Sequence, residues 1–258
     1  MTPSAHNEVV QGEFAKQARS FEDPKYSFAD PRLMRWILGR VKATPGSLVL
    51  DVAGGTGHLG RAFAADARQV VVVDITAAML AEGKRQVEAA GVENVLFERA
   101  DAAALPYLDA SFDLVASRFA VHHFEEPALQ IREMVRVCRG GGSVALIDLV
   151  ALAPDVAGDH NRLERLRDPS HAVALTEEEL ARLLEDAGAT IAHRTAHDQR
   201  LDVERWLRQA EPPAEAAEQI RGELEAELDG GRPTGMRPLR DDGRLLLTQR
   251  WAILVGKP

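Results

Sequence analysis

From residue 46 onward, short apolar runs alternate with amphipathic stretches. Leu48–Val52, Val70–Val73, Val95–Glu98, Phe112–Ser117 and Ser143–Leu149 are brief and rich in Val, Leu and Ile, a pattern that predicts buried strands. Between them, His58–Ala67, Ala77–Ala90 and Pro127–Arg139 repeat apolar residues at helical spacing. Thr76 is placed to cap the second of these helices and Gly91 to end it, while Pro127 suits a first helical turn, where a missing N–H costs nothing. Two helices are expected before the first strand, Glu8–Ser20 and Arg32–Lys42, the second with Leu33, Ile37 and Val41 four residues apart; Pro45-Gly46 then breaks the chain.

Strands that alternate with helices pair in parallel and are covered on both faces. Their crossovers are right-handed, and ligands collect beyond the carboxyl ends of the strands. The fold expected is therefore α/β, a doubly wound Rossmann-like sheet.

After residue 150 the rhythm loosens. Residues 151–175 show no clear period. Thr176-Glu177-Glu178-Glu179 is a capping box that opens a helix with Leu180, Leu183 and Leu184 inward, stopped by Gly188. A strand near Ala189–Thr195 follows, then helices over 202–229 broken by Pro212-Pro213, an Arg- and Gly-rich loop, and a last strand, Leu245–Val255. No internal repeat or low-complexity linker divides the chain. One domain over 1–258 is expected: a helical lid at 1–45, a cofactor-binding core at 46–150, and substrate-side helices with the last two strands at 151–258.

Composition narrows the partners. Hydrophobic residues make up 45% of the chain, enough for a real core. The net charge of −9 disfavours nucleic acid, whose phosphates call for a positive surface. Cys138 is the one cysteine and suits a reducing compartment, so a cytoplasmic protein is expected. Residues 1–30 are polar and broken by Pro3 and Pro24, unlike a signal peptide, and the apolar run Val144–Ala153, interrupted by Asp148, is too short to span a bilayer.

The first strand runs through Asp51 into Val52-Ala53-Gly54-Gly55-Thr56-Gly57. Glycines allow backbone to approach a ligand, and Gly55-Thr56-Gly57-His58-Leu59-Gly60 also fits the dinucleotide fingerprint. Asp51 separates the two readings. A carboxylate before the glycines repels a pyrophosphate but suits S-adenosylmethionine (SAM), which carries an ammonium and a sulfonium; alternatively, Asp51 merely caps a turn. Asp74 ends the second strand, where an acid can accept hydrogen bonds from ribose hydroxyls. Asp101 follows the third, where it can meet an adenine amino group, with the Ala102 amide beside it for a ring nitrogen. Met79 can pack on the adenine face or belong to the core.

Together, Asp51–Gly57, Asp74-Ile75-Thr76-Ala77-Ala78-Met79-Leu80, Asp101 with Leu105-Pro106, Phe112–Val115, Ala120-Val121-His122-His123-Phe124 and Arg136–Gly142 resemble the class I SAM-dependent methyltransferases. Within them, the chain is similar to the small-molecule group that includes the ubiquinone/menaquinone C-methyltransferases. The resemblance implies a seven-stranded sheet in the order 3-2-1-4-5-7-6 with the last strand antiparallel, and SAM as cofactor. It implies that Asp51, Ala53, Gly54, Gly55 and Gly57 hold the methionine and ribose portions, Asp74 with Ile75 the ribose hydroxyls, and Asp101 with Ala102 the adenine. Ser117 and Arg118 would border the methionine end, and Phe21 or Tyr26, in a lid-like segment, would cover the cofactor. Ala53 stands at a usual glycine position, and Gly140 replaces a common proline.

Methyl transfer is an in-line displacement from an already activated donor, so a base is required only when the acceptor must lose a proton. His122 or His123, after the fourth strand, can serve, as can His171 in the irregular segment; each can also be structural. The eight histidines show no metal-ligand spacing, so no metal is expected. The acceptor expected is a small molecule methylated on O, N or C, quinone-like or a secondary metabolite. Residues 1–30 and 202–240, with Phe14, Phe21, Trp206, Leu207 and Ile220, are expected to cover the cleft, although their apolar faces also leave a homodimer open. Arg232, Arg237, Arg240 and Arg244 read as a solvated loop neutralising the acidic helix before it, or as an anion site. Two other functions remain: a protein that uses SAM structurally, as in a cyclase, and an NAD-dependent oxidoreductase, which Asp51 and the lack of a tyrosine–lysine pair disfavour.

Overall fold

The computed structural model describes residues 4–19, 21 and 31–258. Side chains on successive strand positions point to opposite faces of the sheet, and the core divides accordingly. Val49, Leu114, Ala145, Ile147 and Ile253 pack on one face, and Leu50, Val115, Val144, Leu146 and Leu254 on the other. The strands are β1 (Leu48–Val52), β2 (Gln69–Asp74), β3 (Val95–Arg99), β4 (Phe112–Arg118), β5 (Cys138–Val150), β6 (Thr190–Asp202), β7 (Leu239–Asp241) and β8 (Arg244–Lys257). They form one sheet in the order β3-β2-β1-β4-β5-β8-β6, with β7 paired to β8. Strands β1 to β5 pair in parallel, and β8 runs antiparallel to both β5 and β6. The expected order, with its antiparallel last strand, is the one observed; β7 is an addition.

The helices are α1 (Ala5–Gln17), α2 (Pro31–Leu38), α3 (His58–Phe63), α4 (Ala77–Ala90), α5 (Pro127–Val137), α6 (Pro154–Arg167), α7 (Glu177–Asp186), α8 (Val203–Ala210) and α9 (Ala214–Leu228). Ser4 caps α1, and the capping box of Thr176 and Glu179 opens α7. Gly91 ends α4 in the left-handed region, and Thr76 holds the N-cap position without a side-chain cap bond. Ser20 and Tyr26 lie outside the described residues.

Two elements depart from the expectation. The stretch 151–175 contains α6, a full helix. Its inward face carries His160, Asn161 and Glu164 beside Leu163, so its buried positions are polar and leave no apolar period. The Arg- and Gly-rich loop contains β7, joined to β8 by Asp242-Gly243, both with positive φ. An Asp-Gly pair of this kind is a strong hairpin signal. The arginines of this region are spread over several partners: Arg232 pairs with Asp159, Arg237 with Asp198, and Arg240 with Glu225 of the acidic helix α9.

Candidate active site

The carboxyl ends of β1, β2, β4 and β5 open into one cleft with about 1440 Å³ of atom-free space, its solvent-open mouth included. Asp51, Ala53, Gly54, Gly55, Asp74, Ile75, Met79, Asp101, Ala102 and Arg118 line it, as do His122 and His123. Gly57, Ser117 and His171 do not. Gly57 instead caps α3 at φ 74°, and a Cβ there would lie 2.9 Å from the Phe97 ring. A Cβ on Gly54 would lie 2.7 Å from the Asp51 carboxylate. These two glycines thus let the loop settle on the strand tips, because side chains there would run into the protein.

Asp51 is fully buried. Its Oδ2 accepts the Gly60 amide at 2.7 Å, while Oδ1 has no hydrogen-bond partner among the described residues. Burial raises its pKa to about 7, against the lowering effect of the Gly60 amide and the Arg118 charge. Asp74 accepts the amides of Gly55 (2.9 Å) and Thr76 (2.7 Å), and burial raises its pKa too. Asp101 uses Oδ1 for the Ala103 amide at 2.9 Å. A buried carboxylate oxygen lacking a donor is costly unless a ligand supplies one. The unpartnered Asp51 Oδ1, in a cleft bordered by acids after three consecutive strands, fits a cation that carries a ribose and an amine-bearing ring. It does not fit a pyrophosphate.

On the other side, His122 and His123 sit in a single turn of 3-10 helix, Val121–His123, directly after β4. His122 Nδ1 lies 2.5 Å from Asp148 Oδ1. Burial opposes a charged His122, but the charge and hydrogen bond of Asp148 outweigh it and raise the pKa. His123 Nδ1 donates to the Ser170 carbonyl at 2.9 Å; burial, then the neighbouring His122, lower its pKa. His171 is buried away from the cleft, and its Nε2 donates to Asn161 Oδ1 at 2.7 Å. Burial lowers its pKa as well, which suits a neutral structural ring.

Several cleft residues escaped the sequence reading: Arg167, Asp168, Gln209, Gln249 and Trp251. Trp206 had been expected to cover the cleft only as apolar bulk, yet its buried indole N–H has no partner. The guanidinium of Arg167 stacks 4.7 Å from its ring. Leu207 and Ile220 of the same segment join the core. Asp148 had been noted only as a break in an apolar run; a lone acid inside a buried strand was the available signal, because such a group must have a partner. Over the mouth lies α1, from which Asn7, Val10, Phe14 and Gln17 face the cleft, with Phe21 just beyond. Among the described residues, no group of His, Cys, Asp and Glu is arranged to hold a metal, and no helix is long and apolar enough to cross a membrane.

Comparison with known proteins agrees with this geometry. A family described as a methyltransferase domain matches residues 49–142. An uncharacterized methyltransferase, YcgJ of Bacillus subtilis, is 29% identical over 94% of this chain and 96% of its own length. The crystal structure of YcgJ superposes with a TM-score of 0.81, at 26% identity over 88% of this chain and 99% of that one. A demethylmenaquinone methyltransferase of Renibacterium salmoninarum is 36% identical over 51% of this chain, and the match spans 57% of that relative's length. With its sheet order, its cleft and these relatives, the chain is a SAM-dependent methyltransferase whose fold is that of the class I enzymes, and over its cofactor core it is similar to the ubiquinone/menaquinone C-methyltransferases.

Proposed function

We propose that this enzyme transfers the methyl group of SAM to O, N or C of a small molecule, a quinone-like or secondary-metabolite acceptor. One observation carries the reading: the cleft has an acidic end, at Asp51, Asp74 and Asp101, and an aromatic and histidine end, at His122, His123, Trp206 and Trp251. The first suits a cationic nucleoside, the second a flat, partly polar acceptor. Asp51, Ala53, Gly54 and Gly55 take the methionine portion, Asp74 and Ile75 the ribose, Asp101, Ala102 and Met79 the adenine, and Arg118 borders the methionine end. Gly57 and Ser117 support the loop and the strand from behind. His122 or His123 receives a proton where the acceptor has one to lose. The quinone-like acceptor is supported by the demethylmenaquinone methyltransferase among the relatives.

The chain works as one domain, with α1 as lid, residues 46–150 as cofactor core and residues 151–258 as acceptor side. It works without nucleic acid, in a reducing cytoplasm where the buried Cys138, its thiol pKa pushed up to about 11 by burial, stays reduced.

Thermal shift tests the cofactor site. A ligand at about 100 times its Kd adds ~2.7 kcal/mol of stability, so S-adenosylhomocysteine raises the melting temperature while NAD leaves it flat. Release of S-adenosylhomocysteine from SAM with 1,4-naphthohydroquinone tests the acceptor class; turnover only with amines would exclude the quinone-like acceptor, and turnover only with nucleic acid would overturn the small-molecule reading.

A further inference from the structure

Strand β5 is buried along most of its length, and Asp148 stands near its carboxyl end at 1% exposure. An unpaired carboxylate costs several kcal/mol in such a place, so its partners reveal its purpose. Oδ2 accepts the Val121 amide at 2.7 Å, and Oδ1 accepts the Leu149 amide at 2.7 Å together with His122 Nδ1 at 2.5 Å. The acid therefore grips the turn carrying both histidines but touches only one imidazole.

We propose that Asp148 is a positioning residue that selects His122, rather than His123, as proton acceptor during methyl transfer to an acceptor whose reacting atom bears a proton. The proposal rests on the methyl-transfer reading above.

Asp148 can only accept, so neutral His122 carries its proton on Nδ1 and leaves Nε2 open. When Nε2 takes a proton, the imidazolium already has a counter-charge in place. His123 lacks that arrangement. Its Nδ1 faces the neutral Ser170 carbonyl and hydroxyl; the Asp168 charge favours a charged His123 as well, but its hydrogen-bonded link runs through that hydroxyl, 2.5 Å from Asp168 Oδ1 and 3.1 Å from His123 Nδ1, and no carboxylate bonds the ring directly. The two rings are 4.1 Å apart, so charging one opposes charging the other. The remaining groups that face His122 are Glu164 of α6 and Asp168, which favour its cation, and His123, His160 and His171, whose pKa values are all lowered. The opposite directions of His122 and His123 agree with this division.

The step balances. SAM supplies an electrophilic methyl group. The acceptor atom bonds to that carbon, the carbon–sulfur bond breaks, and its electron pair stays on sulfur. The proton lost by the acceptor goes to His122 Nε2, and afterwards to water. Acceptors with a hydroxyl or an acidic C–H gain from the pair; a tertiary amine or thioether has no proton to give.

Nitrogen-detected NMR titration of the full chain with S-adenosylhomocysteine tests the assignment. His122 is expected as the Nδ1–H tautomer, with a pKa above that of His123. Asp148→Asn is expected to lower the His122 pKa by at least one pH unit, a tenfold loss of proton affinity, with less effect on His123. Should that variant fail to fold, wild-type tautomers and the order of the two pKa values decide: an Nε2–H His122, or His123 titrating higher, overturns the proposal. With 1,4-naphthohydroquinone, His122→Ala should cost ~100-fold or more in turnover. A larger loss in His123→Ala would refute the selection. Absence of any S-adenosylhomocysteine binding would instead sink the methyltransferase reading, and is scored separately by thermal shift.

Discussion

Gly60 donates its amide to Asp51 Oδ2 at 2.7 Å, while Oδ1 of the same carboxylate is buried without a donor. The single bond fixes the carboxylate at the end of β1 but does not offset its desolvation. The Asp51 pKa is accordingly raised from 3.8 to about 7. Between those values the unfolded chain ionises and the folded chain does not. The stability contribution is thus fully present below pH 3.8 and is lost as pH rises through 7, roughly 4 kcal/mol over about three units. A cationic cofactor reverses the balance, because it favours the ionised acid. The melting shift caused by S-adenosylhomocysteine is expected to be larger at pH 8 than at pH 6. In Asp51→Asn the difference should vanish and affinity should fall; equal shifts in the wild type at both pH values would show that Asp51 meets no cation.

Asp74 has a double task. It ties Gly55 to Thr76 through two amide hydrogen bonds, and it lines the cleft. Asp74→Ala is expected to weaken S-adenosylhomocysteine by one to two decades, from the ~1.5–3 kcal/mol carried by hydrogen bonds to a charged acceptor. Calorimetry checks this, with circular dichroism to confirm that the sheet persists. Unchanged affinity would reduce Asp74 to a turn residue.

Ala53 shows what the sequence could and could not say. Its departure from glycine was visible, but its cost depends on a backbone angle. Ala53 adopts φ 51°, in the left-handed region where a Cβ is strained. Ala53→Gly is therefore expected to stabilise the protein by ~1 kcal/mol, or slightly less once the added freedom of the unfolded chain is counted. Chemical denaturation gives the sign; a loss of stability would mean that the methyl group packs better than its angle suggests.

The legible part of the fold was the part whose burial is apolar. Strands such as Val70–Val73 and helix α7, with Leu180 and Leu184 inward, stand out because pattern and burial coincide. Helix α6 was hidden because its inward residues include His160, Asn161 and Glu164, and the bonds of the last two reach beyond the helix: Asn161 to His171, and Glu164 to Gln249 at 2.7 Å. The candidate site divides in the same way. Asp51 and Asp74 stand at the carboxyl ends of β1 and β2, and Asp101 just beyond β3, so position alone exposes them. Asp148, Asp168 and Trp206 matter through neighbours that only the fold brings together. His171, the further candidate in the irregular segment, is set apart from His122 by its place outside the cleft and its bond to Asn161, where His122 bonds Asp148.

The last prediction concerns α1, which crosses the cleft mouth with none of its residues fully buried. Several of its contacts reach the cleft rim. His6 Nε2 donates to the His123 carbonyl at 2.9 Å, the Phe14 ring meets His123 edge-on with centroids 4.9 Å apart, and Arg99 donates to Gln11 Oε1 at 2.9 Å. An element with so little burial opens at low free energy, as a lid must if cofactor and acceptor are to enter. Two of these contacts, from His6 and Phe14, end on His123, so lid closure and the histidine turn are coupled. A closed site favours displacement at a sulfonium, because the aligned acceptor replaces water. Phe14→Ala is expected to leave the melting temperature of the free protein nearly unchanged while lowering turnover at least tenfold. Amide exchange over Ala5–Gln17 should slow when S-adenosylhomocysteine is added, and slow less in the variant. If exchange in α1 ignores the ligand and Phe14→Ala turns over at the wild-type rate, α1 merely packs beside the cleft and the entrance is controlled elsewhere.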